Sequence, residues 1–167
     1  DVSESRGLGD VYKRQAIHSV VFAGFSSSAL SARINDASCK MVLTSDGSFR
    51  GNKTIDLKSI VDEALKDCDC VDSVIVLNRI NSGITLNNNE KWWKDELDKV
   101  DDYFPAEIMD SEDPLFILYT SGSTGKPKGM VHSSGGYMVY TAYSFKNVFD
   151  YDDDDIYWCT ADIGWIT

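Results

Sequence analysis

Short apolar runs alternate along the chain with segments that show the periodicity of amphipathic helices. The runs predict strands at residues 20–22, 41–44, 74–77, 115–119, 130–132 and 156–160. The periodic segments predict helices at residues 29–34, 57–65, 91–100 and 137–149. Residues 26–28 and Asp56 stand where the first two of these helices need N-caps. Because helices fall between successive strands, the sequence predicts an α/β fold with a mostly parallel sheet and flanking helices.

Length and charge limit the kinds of partner that the chain can have. Its 167 residues are enough for one domain with a core, and its formal net charge is −11. An acidic balance of this size disfavours nonspecific binding to nucleic acid or to an anionic membrane surface. No apolar run approaches the length of a membrane span. We therefore expect small-molecule partners, no nucleic acid, no membrane and a cytoplasmic location.

The cysteine pattern points to ordinary thiols. The chain has four cysteines, namely Cys39, Cys68, Cys70 and Cys159. Their spacing matches neither a zinc-binding pattern nor a C-x-x-C redox pair. We interpret them as reduced thiols of an intracellular protein, in which stable disulfides are rare.

The first fifteen residues differ from the rest of the chain. Residues 1–15 combine glycines with charges of both signs and show no period. We interpret them as a lead that is non-native or disordered, with a short native loop as the alternative, and exclude them from the fold prediction. Residues 16–167 are expected to form a single partial domain. The end at Thr167 has neither a capping helix nor a polar tail, so we expect a domain that is cut rather than complete.

The loop after the predicted strand at residues 115–119 carries the clearest chemical signal. Its glycines allow a backbone to approach a ligand closely and to adopt positive φ, and its exposed N–H groups can form an anion-binding nest. Hydroxyl groups and two lysines add donors and positive charge to an otherwise acidic chain. We predict a phosphate-binding loop formed by Thr120, Ser121, Gly122, Ser123, Thr124, Gly125, Lys126 and Lys128.

Two other classes of functional loop do not fit this segment. A Walker A loop needs Ser or Thr after Gly-Lys, whereas Pro127 follows Gly125 and Lys126 here. A nucleophile elbow needs a Gly-x-Ser-x-Gly frame, which the loop lacks. The remaining alternative is a flexible glycine–serine linker. Such linkers rarely follow a buried strand without a break or carry two lysines.

Other polar and aromatic residues have structural interpretations beside functional ones. The acidic run at residues 150–155 could bind a metal ion, although a run of like charges is more often solvated surface. His132 could face a phosphate or pack beside the sheet, and His18 is expected to be a polar neighbour of a strand. Trp92 and Trp93 are expected to serve packing or an interface rather than a ligand.

The segment at residues 119–129, with the sequence YTSGSTGKPKG, resembles the phosphate loop of the acyl-adenylating enzymes. The flanking residues 113–118, 130–132 and 135–137 are similar to those of AMP-forming acetyl-CoA synthetases, as is most of the segment at 149–165. The resemblance covers residues 16–167. It implies part of the large N-terminal, AMP-binding (adenylation) domain of the acyl-adenylating fold.

The resemblance also implies an activity. In this family a ligase activates acetate with ATP, giving acetyl-AMP and pyrophosphate, and then forms acetyl-CoA; Mg²⁺ usually accompanies the phosphates. The loop from Thr120 to Lys128 would hold the β- and γ-phosphates. The acyl pocket would be lined by Trp165, Ile166 and Thr167, the last of which would also lie near CoA.

Several motifs of that family are absent from the chain. These are the adenine- and ribose-binding segments, the Thr-Glu pair that helps to hold magnesium, the domain hinge and the late lysine of the adenylation step. We therefore expect no catalytic residue and no metal ligand within the chain, and we expect the chain alone to be inactive. A ligase for propionate or another short acid and a non-catalytic phosphate-binding remnant remain alternatives.

Overall fold

The computed structural model of the chain describes residues 16–120 and 126–160. The chain divides into two compact units. The first, which we call the sheet unit, is Ala23–Asp102. The second, which we call the hairpin unit, has residues 16–22, 103–120 and 126–160 as its described part. None of the helices in these described ranges combines the length and the apolar character that crossing a bilayer requires.

The sheet unit is built around a parallel sheet. Its elements in chain order are α1 (Ser27–Asp36), β1 (Met41–Ser45), β2 (Ser48–Arg50), β3 (Lys53–Ile55), α2 (Leu57–Leu65), β4 (Ser73–Leu77), β5 (Glu90–Trp92) and α3 (Trp93–Leu97). Strands β1, β4 and β5 form the parallel sheet in the order β1-β4-β5. Strands β2 and β3 form a separate antiparallel hairpin. The α/β architecture with a parallel sheet, predicted from the alternation of runs, is confirmed.

The core of the sheet unit lies between β4, whose alternate residues are buried, and the apolar face of α2. Val74 and Val76 are completely buried, and Val61 of α2 packs against them. The predicted cap of α2 is present, since the Asp56 carboxylate accepts hydrogen bonds from the Ser59 N–H at 3.0 Å and the Ser59 hydroxyl at 2.6 Å. Ser26 is the N-cap of α1, and its hydroxyl oxygen accepts a hydrogen bond from the Ala29 N–H. Capping and one apolar face therefore fix where these helices begin and how they pack.

The hairpin unit contains β6 (Pro114–Thr120), β7 (Lys128–Ser133) and α4 (Ser134–Val148). Strands β6 and β7 pair antiparallel over most of their length. On the other side of β6, His18 forms a single parallel bridge with Phe116, and the His18 carbonyl accepts from the Ile117 N–H at 2.9 Å. The predicted strands at 115–119 and 130–132 and the predicted helix at 137–149 are confirmed, with small shifts at their ends.

Three predicted elements are wrong or too long. Residues 20–22 form no strand, because the contact with β6 is made earlier, at His18, and a turn at residues 23–25 follows. Residues 156–160 join no strand of the described structure, and the side chain of Ile156 is 96% exposed. Helix α3 is shorter than predicted, because residues 91 and 92 belong to strand β5 and pair with β4.

Candidate phosphate-binding site

The predicted phosphate loop connects the two antiparallel strands of the hairpin unit. Strand β6 ends at Thr120 and β7 begins at Lys128, and these two residues are direct partners across the ladder. Partners in an antiparallel pair have Cα atoms about 5 Å apart, so the ladder holds the two ends of the loop side by side. Ser121, Gly122, Ser123, Thr124 and Gly125 lie outside the described residues.

Two kinds of donor meet where the strands open into the loop. Side chains of directly opposed residues project from the same face of a ladder, which places the Thr120 hydroxyl and the Lys128 ammonium on one face. Lys126 and Lys128 are exposed, and neither forms an ion pair with a carboxylate among the described residues. Lysines of the sheet unit, in contrast, commonly pair, as Lys94 does with Asp98 at 2.8 Å. The donor set suits a phosphate group.

Gly129 allows the strands to approach closely at the base of the loop. Its Cα partner is Tyr119, whose ring lies over the glycine. A Cβ on Gly129 would lie 3.1 Å from the Tyr119 ring and 3.1 Å from Ile117 Cγ2, closer than side chains normally pack. Gly129 is not among the described glycines with positive φ. Glycine is needed at this position because it has no Cβ, not because the backbone is unusual.

An aromatic cluster supports the far end of the hairpin. Phe116 is 4% exposed, and its ring stacks on His132 at a centroid distance of 4.5 Å. Tyr137 of α4 meets Phe116 edge-on at 4.7 Å, and the His18 and Phe116 ring centroids are 5.6 Å apart. These contacts support the packing interpretation of His132. Burial lowers the pKa of His18, a shift that its backbone hydrogen bond to Ala16 opposes.

A turn fixes the start of α4 relative to β6. Within this turn, the Asp113 carboxylate accepts from the Asp110 N–H at 2.8 Å. The Asp113 and Ser111 carbonyls accept from the Ser134 and Gly135 N–H groups, each at 2.9 Å. A Cβ on Gly135 would lie 2.6 Å from Ser111 Cβ, so only glycine fits beside the turn. The helix that follows β7 is thereby tied to the strand that precedes the loop.

The remaining predicted site residues lie outside the described structure. Trp165, Ile166 and Thr167, expected to line an acyl and CoA pocket, belong to this group. Their role stays a prediction. Among the described residues, no group of His, Cys, Asp and Glu side chains is arranged to hold a metal ion, and this includes the acidic run at residues 150–155.

Sequence analysis did not identify a buried carboxylate at the carboxyl end of β1. Asp46 is 1% exposed and accepts from the N–H groups of Gly47, Arg79, Ile80 and Ser82, and from the Ser82 hydroxyl at 3.0 Å. Burial alone would raise the pKa of Asp46, but the hydrogen bonds from Ser82, Arg79 and Ile80 hold the pKa well below its usual range. An Asp-Gly pair directly after a parallel strand was the available signal. The carboxylate clamps the loop after β4 to the end of β1.

A buried ion pair was also missed. Lys58 of α2 and Glu90 of β5 are buried and lie 2.9 Å apart, with Asp62 as a second partner of the lysine. Burial would lower the pKa of Lys58, but hydrogen bonds to Asp62 and Glu90 raise the pKa above its usual value. Burial opposes ionisation of Glu90 too, and the Asn87 N–H and Lys58 overcome it, so the pKa of Glu90 is lowered. The pair ties α2 to the edge strand of the sheet.

Comparison with known proteins gives the family. The family model of the AMP-binding enzymes matches residues 11–167, and the chain belongs to this family. The match begins at residue 11, so a boundary at residue 16 stays a prediction. The chain is thus a segment of an AMP-binding enzyme, and the predicted phosphate loop lies within the matched residues.

Curated relatives narrow the likeness. The chain is 53% identical over 153 residues to acetyl-coenzyme A synthetase 2 of Pseudomonas aeruginosa, and 52% identical over 155 residues to acetyl-coenzyme A synthetase of Escherichia coli K12. Each match covers 91% of this chain and 24% of the relative. The chain therefore spans about a quarter of the length of the curated relatives it matches.

A solved structure supports the fold. Acetoacetyl-CoA synthetase from Streptomyces lividans superposes with a TM-score of 0.73 at 26% identity. The match covers 84% of this chain and 21% of that one. The α/β arrangement described above is thus that of part of an acyl-CoA synthetase domain.

Proposed function

We propose that this chain is part of an acetate:CoA ligase of the AMP-forming type. In the whole enzyme, the acetate carboxylate attacks the α-phosphate of ATP, giving acetyl-AMP and pyrophosphate; the CoA thiol then takes the acetyl group and AMP leaves. Identities of 52–53% to proteins named acetyl-coenzyme A synthetase support this proposal. The observation that carries it is the hairpin whose ends place Thr120 opposite Lys128.

The proposed task of the loop is to bind the β- and γ-phosphates and to stabilise the charge of the departing pyrophosphate. Backbone N–H groups and hydroxyls of residues 120–125 would orient the phosphate oxygens, and Lys126 and Lys128 would supply positive charge. Lys126 and Lys128, which form no ion pair within the described part of the chain, fit this role in a chain of net charge −11. Mg²⁺, which commonly binds through substrate phosphates, would neutralise part of their charge and enter with ATP.

The second half of the reaction is proposed for residues at the end of the chain. Trp165, Ile166 and Thr167 would line the acyl pocket, with Thr167 near CoA. A pocket for propionate or another short acid is the alternative within the same reaction class. We propose no catalytic residue within residues 1–167, and the chain alone is expected to be inactive. Acetate, ATP and CoA are the proposed small-molecule partners, with a cytoplasmic location and no nucleic-acid or membrane partner.

The test uses the full-length protein that contains this segment and measures acetate-dependent release of pyrophosphate. The Lys126→Ala/Lys128→Ala variant should lose about tenfold or more in kcat/KM for ATP, because charge stabilisation at the phosphates is removed. The matched control is Lys53→Ala, an exposed lysine of β3, which should stay within about twofold of the parent.

Each outcome decides between the candidates. Pyrophosphate release that depends on acetate and falls in the double variant supports the ligase. ATP binding without any acid-dependent release would leave a phosphate-binding module. A clear preference for propionate over acetate would move the proposal to the other short-acid ligase, and a double variant that behaves like Lys53→Ala would remove the loop lysines from the mechanism.

A further inference from the structure

Three cysteines of the sheet unit gather around the end of helix α1. Cys70 Sγ lies 3.7 Å from the Ile34 carbonyl oxygen and 3.8 Å from Asn35 Oδ1. Cys68 Sγ lies 3.8 Å from the Ser31 carbonyl oxygen, one turn earlier on the same helix. Cys39 lies in the connection between the end of this helix at Asp36 and the start of β1 at Met41. The sheet unit thus holds a group of thiols that the proposed ligase chemistry does not use.

Cys39 and Cys70 share a contact atom. The Cys39 N–H donates to the Ile34 carbonyl oxygen at 3.0 Å, and the same oxygen lies 3.7 Å from Cys70 Sγ. Because both atoms contact the same oxygen, the separation between Cys70 Sγ and the Cys39 nitrogen cannot exceed the sum of these two distances. Sequence separation between the two cysteines is thirty-one residues, so the fold alone brings them together.

Strand pairing brings the backbones of the two segments together as well. The carbonyl of Lys40, the residue after Cys39, accepts from the Asp72 N–H at 2.8 Å and the Ser73 N–H at 3.3 Å. The ladder begins at Met41 and Ser73, and its register continued by two residues sets Cys39 opposite Val71, one residue from Cys70. The two cysteines are therefore diagonal neighbours at the start of the ladder rather than direct partners, on segments spaced about 5 Å apart as neighbouring strands are. Disulfides commonly join Cα atoms about 4.4–6.8 Å apart, a separation that diagonal neighbours can reach.

We infer that Cys39 and Cys70 form an oxidation site, at which a low-molecular-weight disulfide such as oxidised glutathione converts the two thiols into one intrachain disulfide. Both side chains are partly exposed, whereas Cys68 is 9% exposed and its Sγ contacts the Ala64 carbonyl oxygen at 3.2 Å. The accessible pair therefore reacts, and the buried thiol does not.

Electrostatics supports the proximity of the two thiols. The pKa of Cys39 is raised above its usual value by burial first, and then by the charge that a neighbouring Cys70 thiolate would carry. The same two effects raise the pKa of Cys68, so electrostatics places Cys70 near both other thiols. Exposure, rather than charge, distinguishes Cys39 from Cys68.

The reaction balances without another reagent. A thiolate of one cysteine attacks a sulfur of the small disulfide, the new S–S bond forms, the old one breaks, and the first small thiol leaves with a proton. The other cysteine then attacks the protein sulfur of this mixed disulfide and releases the second small thiol. Two protein thiols lose two electrons and two protons in total, and one small disulfide becomes two thiols.

Mass spectrometry of the full 167-residue chain tests this inference. The chain is treated with oxidised glutathione, the remaining thiols are alkylated, and the unreduced protein is digested with trypsin. Cleavage after Arg33 and Lys40 isolates Cys39, while residues 67–79 carry Cys68 and Cys70 in one peptide. We expect these two peptides to be linked, and dithiothreitol to release them.

Serine variants assign the bond. Cys39→Ser and Cys70→Ser should each abolish the link, while Cys68→Ser and Cys159→Ser should retain it. A link that survives Cys70→Ser but not Cys68→Ser would assign the site to the wrong residue and overturn the inference. Glutathione attached to Cys39 and Cys70 without any link between them would overturn it too.

A denatured control separates the effect of the fold from chance encounter. In concentrated urea the same oxidation should form the Cys39–Cys70 link at least about tenfold more slowly than in the native chain, because the fold no longer holds the groups together. Equal rates in the two conditions would contradict the inference. This control needs no variant, so a serine substitution that impairs folding leaves the test intact.

Discussion

Thr120 and Lys128 lie directly opposite each other across the β6–β7 ladder, at the point where the hairpin opens into its loop. The pairing fixes the separation of the loop ends and sets a hydroxyl and an ammonium group on one face. For the phosphate site proposed above, the geometry of this base matters as well as the composition of the loop. Changes that disturb the base should therefore affect the hairpin even when they leave every donor in place.

Gly129→Ala tests the close approach at this base. The added Cβ would lie 3.1 Å from both Ile117 Cγ2 and the Tyr119 ring, so the ladder must shift or the ring must move. We expect a loss of about 1–3 kcal/mol in the free energy of unfolding of the hairpin unit, as is usual for overpacking. Hydrogen exchange of the β6 and β7 amides measures it. Val131→Ala, at a side chain that is 61% exposed on the same strand, should cost much less.

Asp46→Asn tests the carboxylate clamp of the sheet unit. The amide that replaces one carboxylate oxygen is a donor and would face backbone N–H donors from Gly47, Arg79 and Ile80 or from Ser82. We expect a loss of about 3 kcal/mol in the free energy of unfolding, since hydrogen bonds to a charged group are lost and donors are left unpaired. Urea unfolding followed by tryptophan fluorescence measures it. Asp98→Asn, on the exposed surface, is the control; a similar loss there would refute the clamp.

Acid should weaken the sheet unit through the same carboxylate. The folded pKa of Asp46 lies below its unfolded value, so its contribution to stability is present above the unfolded pKa of about 3.9 and is lost as the pH falls toward the folded pKa. Glu90 and Asp56 have pKa shifts in the same direction and add to the effect. We expect the urea concentration at the midpoint of unfolding to decrease as the pH is lowered below about 5. The decrease should be smaller in Asp46→Asn. Equal pH dependence in both proteins would contradict this assignment.

Glu90→Gln tests the buried ion pair. Removing the carboxylate leaves the Lys58 ammonium buried with Asp62 as its remaining partner, which should lower the free energy of unfolding by about 3 kcal/mol. The double variant Lys58→Met/Glu90→Leu removes both charges and should recover most of the loss. Lys94→Met breaks an exposed pair and should change stability by less than about 1 kcal/mol. Additive effects of the two buried substitutions would show that the pair is not coupled.

Local patterns were sufficient to predict the elements that depend on local signals. Asp56 caps α2 as predicted, and the apolar runs became β1, β4, β6 and β7 with small shifts at their ends. The β2–β3 hairpin was not predicted, because its three-residue strands contain no apolar run; its turn uses Gly51 at a φ of 59°. Short strands of this kind depend on cross-strand pairing, which sequence periodicity does not report.

The errors share a nonlocal cause. Strand β5 begins at Glu90, which is buried and paired with Lys58, a residue distant in the sequence. Because local periodicity does not report this contact, it predicted a helix for residues 91 and 92. The run at residues 156–160 is apolar enough for a strand, but a strand also requires a partner, and none of the described strands pairs with it. For the phosphate loop, the sequence indicated the donors, and the structure adds the pairing of Thr120 with Lys128; binding itself stays a prediction.

The turn that precedes β6 has a consequence for how an anion can be bound. Helix N-termini are common phosphate sites, because their first N–H groups are free and the helix dipole is positive there. In α4 the Ser134 and Gly135 N–H groups already donate to the Asp113 and Ser111 carbonyls. Two of the N–H donors at that terminus are therefore occupied by carbonyl groups and do not face an anion. The loop between the strands therefore stays the predicted phosphate site of this hairpin.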